Sequence, residues 1–430
     1  MTNLASDRSD GATLPPISPE PQQEHRPVRW LGTPFAARTA ALNRNALWMS
    51  WDRMMIADVF TDLSEELHTI RTGVAIGDMS PLSKYEIHGK DAVTVVDRLI
   101  TRDASKLQIG QTYYTPWCND EGKLVNDGLV IRVDASTFRL SADPNLLWLR
   151  HCAEGYDVEI HDLTEDYGII TLQGPKSTEV LEAASGADWG DLRFSRLRTT
   201  SIGGCDVDVL RQGFTGEVGY ELWMRAEDGI SVWDAVFDAG ERYDIKPAGG
   251  LAEDVARIEA GLLIVGYDYT AAGLDSQGAS VQVAARYEAT PFELGLGRLV
   301  DFSKEEFIGK AALVREAATG SRTHNVGLEI DWRTIVRECE RRNAAPPNFG
   351  RVRWVPLPLK GDAVGNQRAS SITWSPTTGK LIGFGHVPPA SAAPGNTVTV
   401  LWPIGEEQVD VPAVVVDLPF VTRRRSTSLS

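Results

Sequence analysis

The sequence predicts an α+β fold that finishes in a β-rich domain. Helical periodicity and strand-like alternation interleave from about residue 35 to residue 305. The texture changes near 305–322, and from 324 onward short strands with Pro and Gly turns dominate. Size is the third observation: 430 residues with 42% hydrophobic content suffice for two or three packed cores.

The elements follow in order. Residues 1–28 read as a disordered leader, polar and rich in proline (Pro15, Pro16, Pro19, Pro21, Pro27), with no apolar signal core. Residues 35–70 read as helical through Phe35, Ala36, Leu42, Trp48, Trp51, Met54 and Met55. Residues 84–88 alternate as a strand, and Asp91 opens a helix that runs to Leu99. Strands at 113–117 and 129–133 flank Asn119-Asp120-Glu121-Gly122, a hairpin signal. A strand at 138–141, a helix at 145–154 and a buried strand at 167–172 come next. Gln173-Gly174-Pro175-Lys176 then opens another helix. Strands at 207–211 and 220–224 flank a Gly-rich turn. The helix at 251–263 carries Leu251, Val255, Ile258 and Leu262 on one face. Residues 265–297 read as irregular, and a helix starts around Phe307 to Leu313. Beyond 324 the chain is expected to be all β.

Composition excludes several functions. The net charge is −16 with no long run of one sign, which excludes a general nucleic-acid-binding surface. Arg423-Arg424-Arg425 is the one basic cluster, and it reads as a solvated tail. Cys118, Cys152, Cys205 and Cys339 form no Cys-x-x-Cys pair, which fits a reduced cytoplasmic protein. No apolar run is long enough to span a bilayer. There is no phosphate-binding loop, no His-Glu-x-x-His and no Gly-x-Ser-x-Gly. The histidines show no ligand spacing, so no metal site is expected.

Three segments carry candidate chemistry. Residues 213–221 read Gly-Phe-Thr-Gly-Glu-Val-Gly-Tyr-Glu. The glycines allow a tight turn, and Phe214, Tyr220, Glu217 and Glu221 surround it. A carboxylate there could accept paired N–H bonds from a planar heterocycle while a ring stacks on its face. A plain β-turn with a capping acid is the alternative. Asn126-Asp127 precedes an apolar strand, where a buried acid needs partners. Asp127 could bond a ligand amine or steer a proton, or simply face water. Arg257 and Glu259 lie in an apolar helix, either as an internal ion pair or with Arg257 holding an anionic ligand tail.

Together these segments resemble the tetrahydrofolate-dependent glycine-cleavage T-protein family. The stretch 213–221 resembles its Gly-Tyr-Thr-Gly-Glu-x-Gly-Tyr-Glu signature. Five further stretches match in order: His68 to Ser80, Tyr114 to Asp127, Leu172-Gln173-Gly174-Pro175, Arg257-Ile258-Glu259-Ala260-Gly261, and Phe307-Ile308-Gly309-Lys310. The resemblance covers about residues 35–422. It implies a three-domain cloverleaf around a central folate channel. Residues 29–305 would form a folate-binding catalytic region of two interleaved α+β subdomains, and 306–430 a β-barrel-like domain. It implies that Glu221 accepts the N–H edge of the pterin, Asp127 is the catalytic acid, and Tyr114 and Phe214 line the pocket. It also implies Arg257 near the ligand.

The chain departs from the T-protein pattern at three places. Asn126 replaces the first acid of an Asp-Asp pair, Phe214 replaces a tyrosine, and Glu253 stands where an arginine is usual. These departures resemble the family's demethylases, which act on dimethylsulfoniopropionate or on aryl methyl ethers. The segments 291–297 and 331–354 are similar to the aryl O-demethylases. A methyl group of a small O-, S- or N-methyl donor, a methoxylated aromatic first among them, is expected to move to N5 of tetrahydrofolate. That displacement needs alignment, water exclusion and, for an oxyanion leaving group, a proton donor. His68, His88, Tyr267 and Tyr269 are the candidates. The alternative is aminomethyl transfer from a lipoyl carrier protein, giving 5,10-methylenetetrahydrofolate. A non-catalytic folate-binding assembly protein fits less well, because Gly261 to Tyr269 holds no cysteine.

Overall fold

The computed structural model describes residues 31–273, 287–362 and 365–422. The leader and the Arg423 to Arg425 cluster lie outside the described residues. Four sheets are present among the described residues. One six-stranded sheet runs in the order Leu197–Ile202, Cys205–Leu210, Gly219–Arg225, Tyr167–Gln173, Ala75–Asp78, Lys246–Pro247. It is antiparallel except for the last pair. A five-stranded antiparallel sheet runs Thr112–Cys118, Leu124–Arg132, Thr137–Ala142, Ser83–His88, Glu159–Asp162. Its strands fall in the chain between two neighbours of the first sheet, Ala75–Asp78 and Tyr167–Gln173.

Each large sheet buries its own core. Helices Ser177–Ser185 and Gly229–Gly240 cover the six-stranded sheet around Leu172, Leu222, Trp189 and Trp233. Helices Ala92–Leu99 and Leu146–Cys152 cover the five-stranded sheet around Trp117, Phe138 and Leu140. The predicted hairpin turn forms there. Asn119 Oδ1 accepts from Glu121 N at 3.1 Å and Lys123 N at 2.9 Å, and Gly122 takes φ of +73°.

The C-terminal strands form a six-stranded antiparallel sheet, ordered Leu357–Pro358, Arg368–Ser375, Lys380–Val387, His324–Ile330, Glu407–Val416, Thr397–Ile404. Leu359 bridges Val400, and Lys360 N donates to Thr399 O at 2.9 Å, so the two edges nearly close into a barrel.

Two sequence expectations need correction. Residues 47–59 are not helical: Leu47–Trp51 and Met54–Val59 form a hairpin that pairs Trp51 with Met54. Trp48, Trp51, Met54 and Met55 mimic a helical spacing. Asp52, at φ of +50°, begins the two-residue loop that turns the chain. The region after 324 is not all β, because Trp332–Arg341 is a helix. Asp331 caps it, accepting from Arg333 N at 3.1 Å, and only Ile335 and Cys339 are buried along it.

The helix Gly250–Glu259 packs on helix Leu63–Thr72, on Met54–Val59 and on barrel strands Arg368–Ser375 and Lys380–Val387. Arg71 fastens this junction. Its guanidinium donates to Glu259 Oε2 at 2.7 Å, Thr215 O at 2.7 Å and Glu217 Oε1 at 3.1 Å. Glu259 also accepts from Ser375 Oγ at 2.6 Å on the barrel.

Candidate active site

A cavity of about 1110 Å³ opens where the sheets and the barrel meet. That is at or just above the upper end for small-molecule sites, roughly 300–1,000 Å³. Tyr114, Asn126, Asp127, Phe214 and Glu221 all line it.

Asp127 is placed by the hairpin. Register sets Asp127 opposite Pro116 and Tyr114 opposite Leu129. The Tyr114 hydroxyl donates to Asp127 Oδ2 at 2.6 Å. The fully buried Tyr269 hydroxyl donates to Oδ1. Burial pushes the Asp127 carboxyl above its usual range, and the two phenol bonds oppose that rise. Burial and the Asp127 charge push the Tyr269 phenol up. Asn126 serves the backbone: its Nδ2 donates to Asp143 O at 2.9 Å, and its Oδ1 accepts from Asp127 N at 2.9 Å.

Glu221 sits on the central strand Gly219–Arg225, beside Thr171 and Leu210. Its carboxyl is buried, accepts from Trp223 Nε1 at 3.2 Å, and is pushed up to about 7 by burial. Glu217 turns away to Arg71, so Glu221 is the acid of this motif that reaches the cavity. The motif's glycines serve Gln173 of the Gln-Gly-Pro turn. A Cβ at Gly213 or Gly219 would overlap the Gln173 amide, which accepts from Thr215 Oγ1 at 2.9 Å.

Arg257 is not brought to the cavity. It is fully buried and saturated by Asp254 at 2.7 Å, Asp268 at 2.6 Å, Leu262 O at 3.1 Å and Ser371 Oγ at 2.8 Å. An apolar helix with one arginine cannot hold it unpaired, so it forms the internal ion pair. Among the described residues the cations on the cavity wall are Arg102 and Arg298. Among the four candidate donors, Tyr267 lines the cavity and Tyr269 binds Asp127, whereas His68 and His88 are exposed and do not line it.

Sequence reasoning missed Asp143 and Trp354. Asp143 lines the cavity and is pushed up to about 7, by burial first and then by the Asp127 charge. Trp354 lines it too, stacked on Tyr267 with centroids 5.1 Å apart, and its Nε1 donates to Asp254 at 2.7 Å. Neither residue carried a local signal, because long-range packing brings both to the wall. Among the described residues no cluster of three or more His, Cys, Asp or Glu side chains could hold a metal ion. No helix there is long and apolar enough to cross a membrane.

The GCVT N-terminal domain family matches residues 37–304, and the glycine cleavage T-protein C-terminal barrel domain matches residues 356–422. The chain belongs to the glycine cleavage T-protein family. Its members depend on tetrahydrofolate, and the buried Glu221 carboxyl on a large cavity wall fits the N–H edge of such a ligand. An aminomethyltransferase of Rubrobacter xylanophilus is 31% identical over 379 residues, covering 85% of this chain and 88% of the relative. An aminomethyltransferase of Halothermothrix orenii is 29% identical over 367 residues, covering 84% and 92%. The crystal structure of the glycine cleavage system aminomethyltransferase T from Bartonella henselae shares the fold, with a TM-score of 0.75 at 21% identity, covering 92% of this chain and 99% of that one. Residues 305–355 of this T-protein family member lie between the two family matches.

Proposed function

We propose that this chain is a cytoplasmic aminomethyltransferase that takes an aminomethyl group from a lipoyl carrier protein and forms 5,10-methylenetetrahydrofolate. The observation that carries this reading is one cavity with Glu221 on its wall and Asp127 held by two phenols. The relatives named as aminomethyltransferases support the donor. The unpaired cysteines support a reducing setting. When bound, tetrahydrofolate supplies the nitrogen that accepts the one-carbon unit. Glu221 accepts the pterin N–H groups, and Tyr114 and Phe214 flank the ring. Arg102 and Arg298, rather than Arg257, hold the anionic tail. Asp127 takes up the proton released at the attacking nitrogen.

A second reading, methyl transfer from a methoxylated aromatic to N5, is favoured by one observation. The segment between the family matches puts Trp354 on the cavity wall against Tyr267. That flat wall suits a small aromatic donor. One assay separates the readings. The enzyme is incubated with tetrahydrofolate and either aminomethylated lipoyl carrier protein or a panel of vanillate, syringate, dimethylsulfoniopropionate and dimethylglycine. Ammonia with methylenetetrahydrofolate supports the first, and 5-methyltetrahydrofolate supports the second. No folate product and no folate binding would sink both.

Glu221→Ala is expected to weaken folate binding by about 100-fold or more, the loss of charge-assisted bonds to a buried acceptor. Calorimetric titration reads this directly. An unchanged affinity removes Glu221 from the pterin contact.

A further inference from the structure

Glu253 stands on the cavity wall in the first turn of helix Gly250–Glu259. It is 7% exposed, and among the described residues no hydrogen bond or ion pair reaches its carboxyl. Gly77 makes its room, because a Cβ there would overlap Glu253 Oε1. Three acids face it from the packed elements: Asp78 from Ala75–Asp78, Glu221 from Gly219–Arg225 and Glu66 from Leu63–Thr72. Beside it on its own helix, Asp254 is committed to Arg257 and Trp354.

Among the described residues no donor is left over for Glu253. Glu66 already accepts from Phe60 N at 2.6 Å, Thr61 N at 2.7 Å and Gly249 N at 2.8 Å. Asp78 accepts from Ser80 N at 3.0 Å. The Lys84 ammonium, the cation acting on Asp78, donates to Ser80 O at 2.7 Å and Leu82 O at 2.8 Å. A buried carboxyl beside other carboxyls, without a cation or donor, does not stay ionised. Burial, then the charges of Asp78, Glu221 and Glu66, push Glu253 up to about 8, above the value of about 7 for Glu221. The helix N-terminus favours ionisation, but it is a smaller effect than burial among three acids.

We propose that Glu253 is a second ligand-binding residue, whose carboxyl O–H donates a hydrogen bond to an acceptor on the ligand while Glu221 accepts from the ligand's N–H groups. An acceptor beside a donor complements a pyrimidinone edge, which carries N–H next to C=O. The inference rests on the folate reading and deepens it. Glu253 can donate only while its carboxyl holds the proton.

The test is equilibrium binding of 5-methyltetrahydrofolate between pH 7 and pH 9 to the wild type, Glu253→Gln and Glu253→Ala, with melting curves at each pH to certify folding. Wild-type affinity is expected to fall about tenfold from pH 7 to pH 9 as Glu253 loses its proton. Glu253→Gln, whose amide donates at every pH, is expected to bind normally at pH 7 and to keep that affinity at pH 9. Glu253→Ala is expected to bind about tenfold more weakly at pH 7. An alkaline loss that persists in Glu253→Gln, or a Gln variant as weak as the Ala variant, overturns the proposal. Absence of binding to the wild type at every pH overturns the folate reading itself.

Discussion

Arg257→Ala is expected to cost about 3–5 kcal/mol of folding stability, the penalty for breaking a buried ion pair from one side. Arg257 and Asp268 are both fully buried. Asp268 also accepts from Ile264 N at 2.9 Å, Ser370 Oγ at 2.8 Å and Ser371 Oγ at 2.6 Å. Those neutral donors do not replace a cation, and Arg368 donates to the Asp268 backbone oxygen rather than its carboxylate, so removing Arg257 takes away the ion pair that holds this buried charge. The serines lie on barrel strand Arg368–Ser375, so the loss loosens the barrel from the helix Gly250–Glu259. Arg257→Lys does not rescue it. A single ammonium cannot reach Asp254, Asp268, Leu262 O and Ser371 together as the planar fork does. Denaturant midpoints of the three proteins measure the effect. Folate affinity of the folded fraction is expected to stay unchanged. Normal stability with lost affinity would return Arg257 to the ligand.

This result bears on what a sequence can reveal. The motif Arg257-Ile258-Glu259 stood out because charges interrupt an apolar helix, and a ligand and an ion pair both explain that pattern. Only the fold supplies Asp268, Arg71 and the barrel hydroxyls that decide between them. Local signals were more legible. The Asn119 turn and the helix from Asp91 follow from side chains that satisfy their own backbone or pack one face. The hairpin at 47–59 was illegible because its tryptophans and methionines fit a helical period as well as a strand. At the site, Tyr114, Asp127, Phe214 and Glu221 were legible as members of dense motifs. Asp143 and Trp354 stand alone in sequence, and only packing across the cavity gives them a place. Glu253 was visible as a departure, yet read as a lost positive charge. Its missing partners appear only when Gly77 and the three facing acids are in position.

Asp127→Asn is expected to lower kcat by about 10²–10⁴-fold, the usual worth of a positioned acid or base. The substitution keeps shape. An asparagine oxygen still accepts from one phenol, and its amide can donate to the other. Folate affinity and melting temperature are therefore expected to change little, which separates lost chemistry from lost structure. The phenols give a second readout. Each stabilises the ionised carboxylate, so removing one raises a carboxyl that burial already holds high. If the ionised form takes up the proton, activity appears as pH rises through that value. The acid limb of the pH–rate profile then moves to higher pH in Tyr114→Phe and in Tyr269→Phe. Loss of the Tyr114 bond is expected to move it further, since that bond opposes the rise of the Asp127 carboxyl more strongly than the Tyr269 bond does. Single-turnover rates across pH 5–8 measure both effects. An acid limb that stays fixed in both tyrosine variants assigns the titration to another group, with Asp143 the nearest alternative on the same wall.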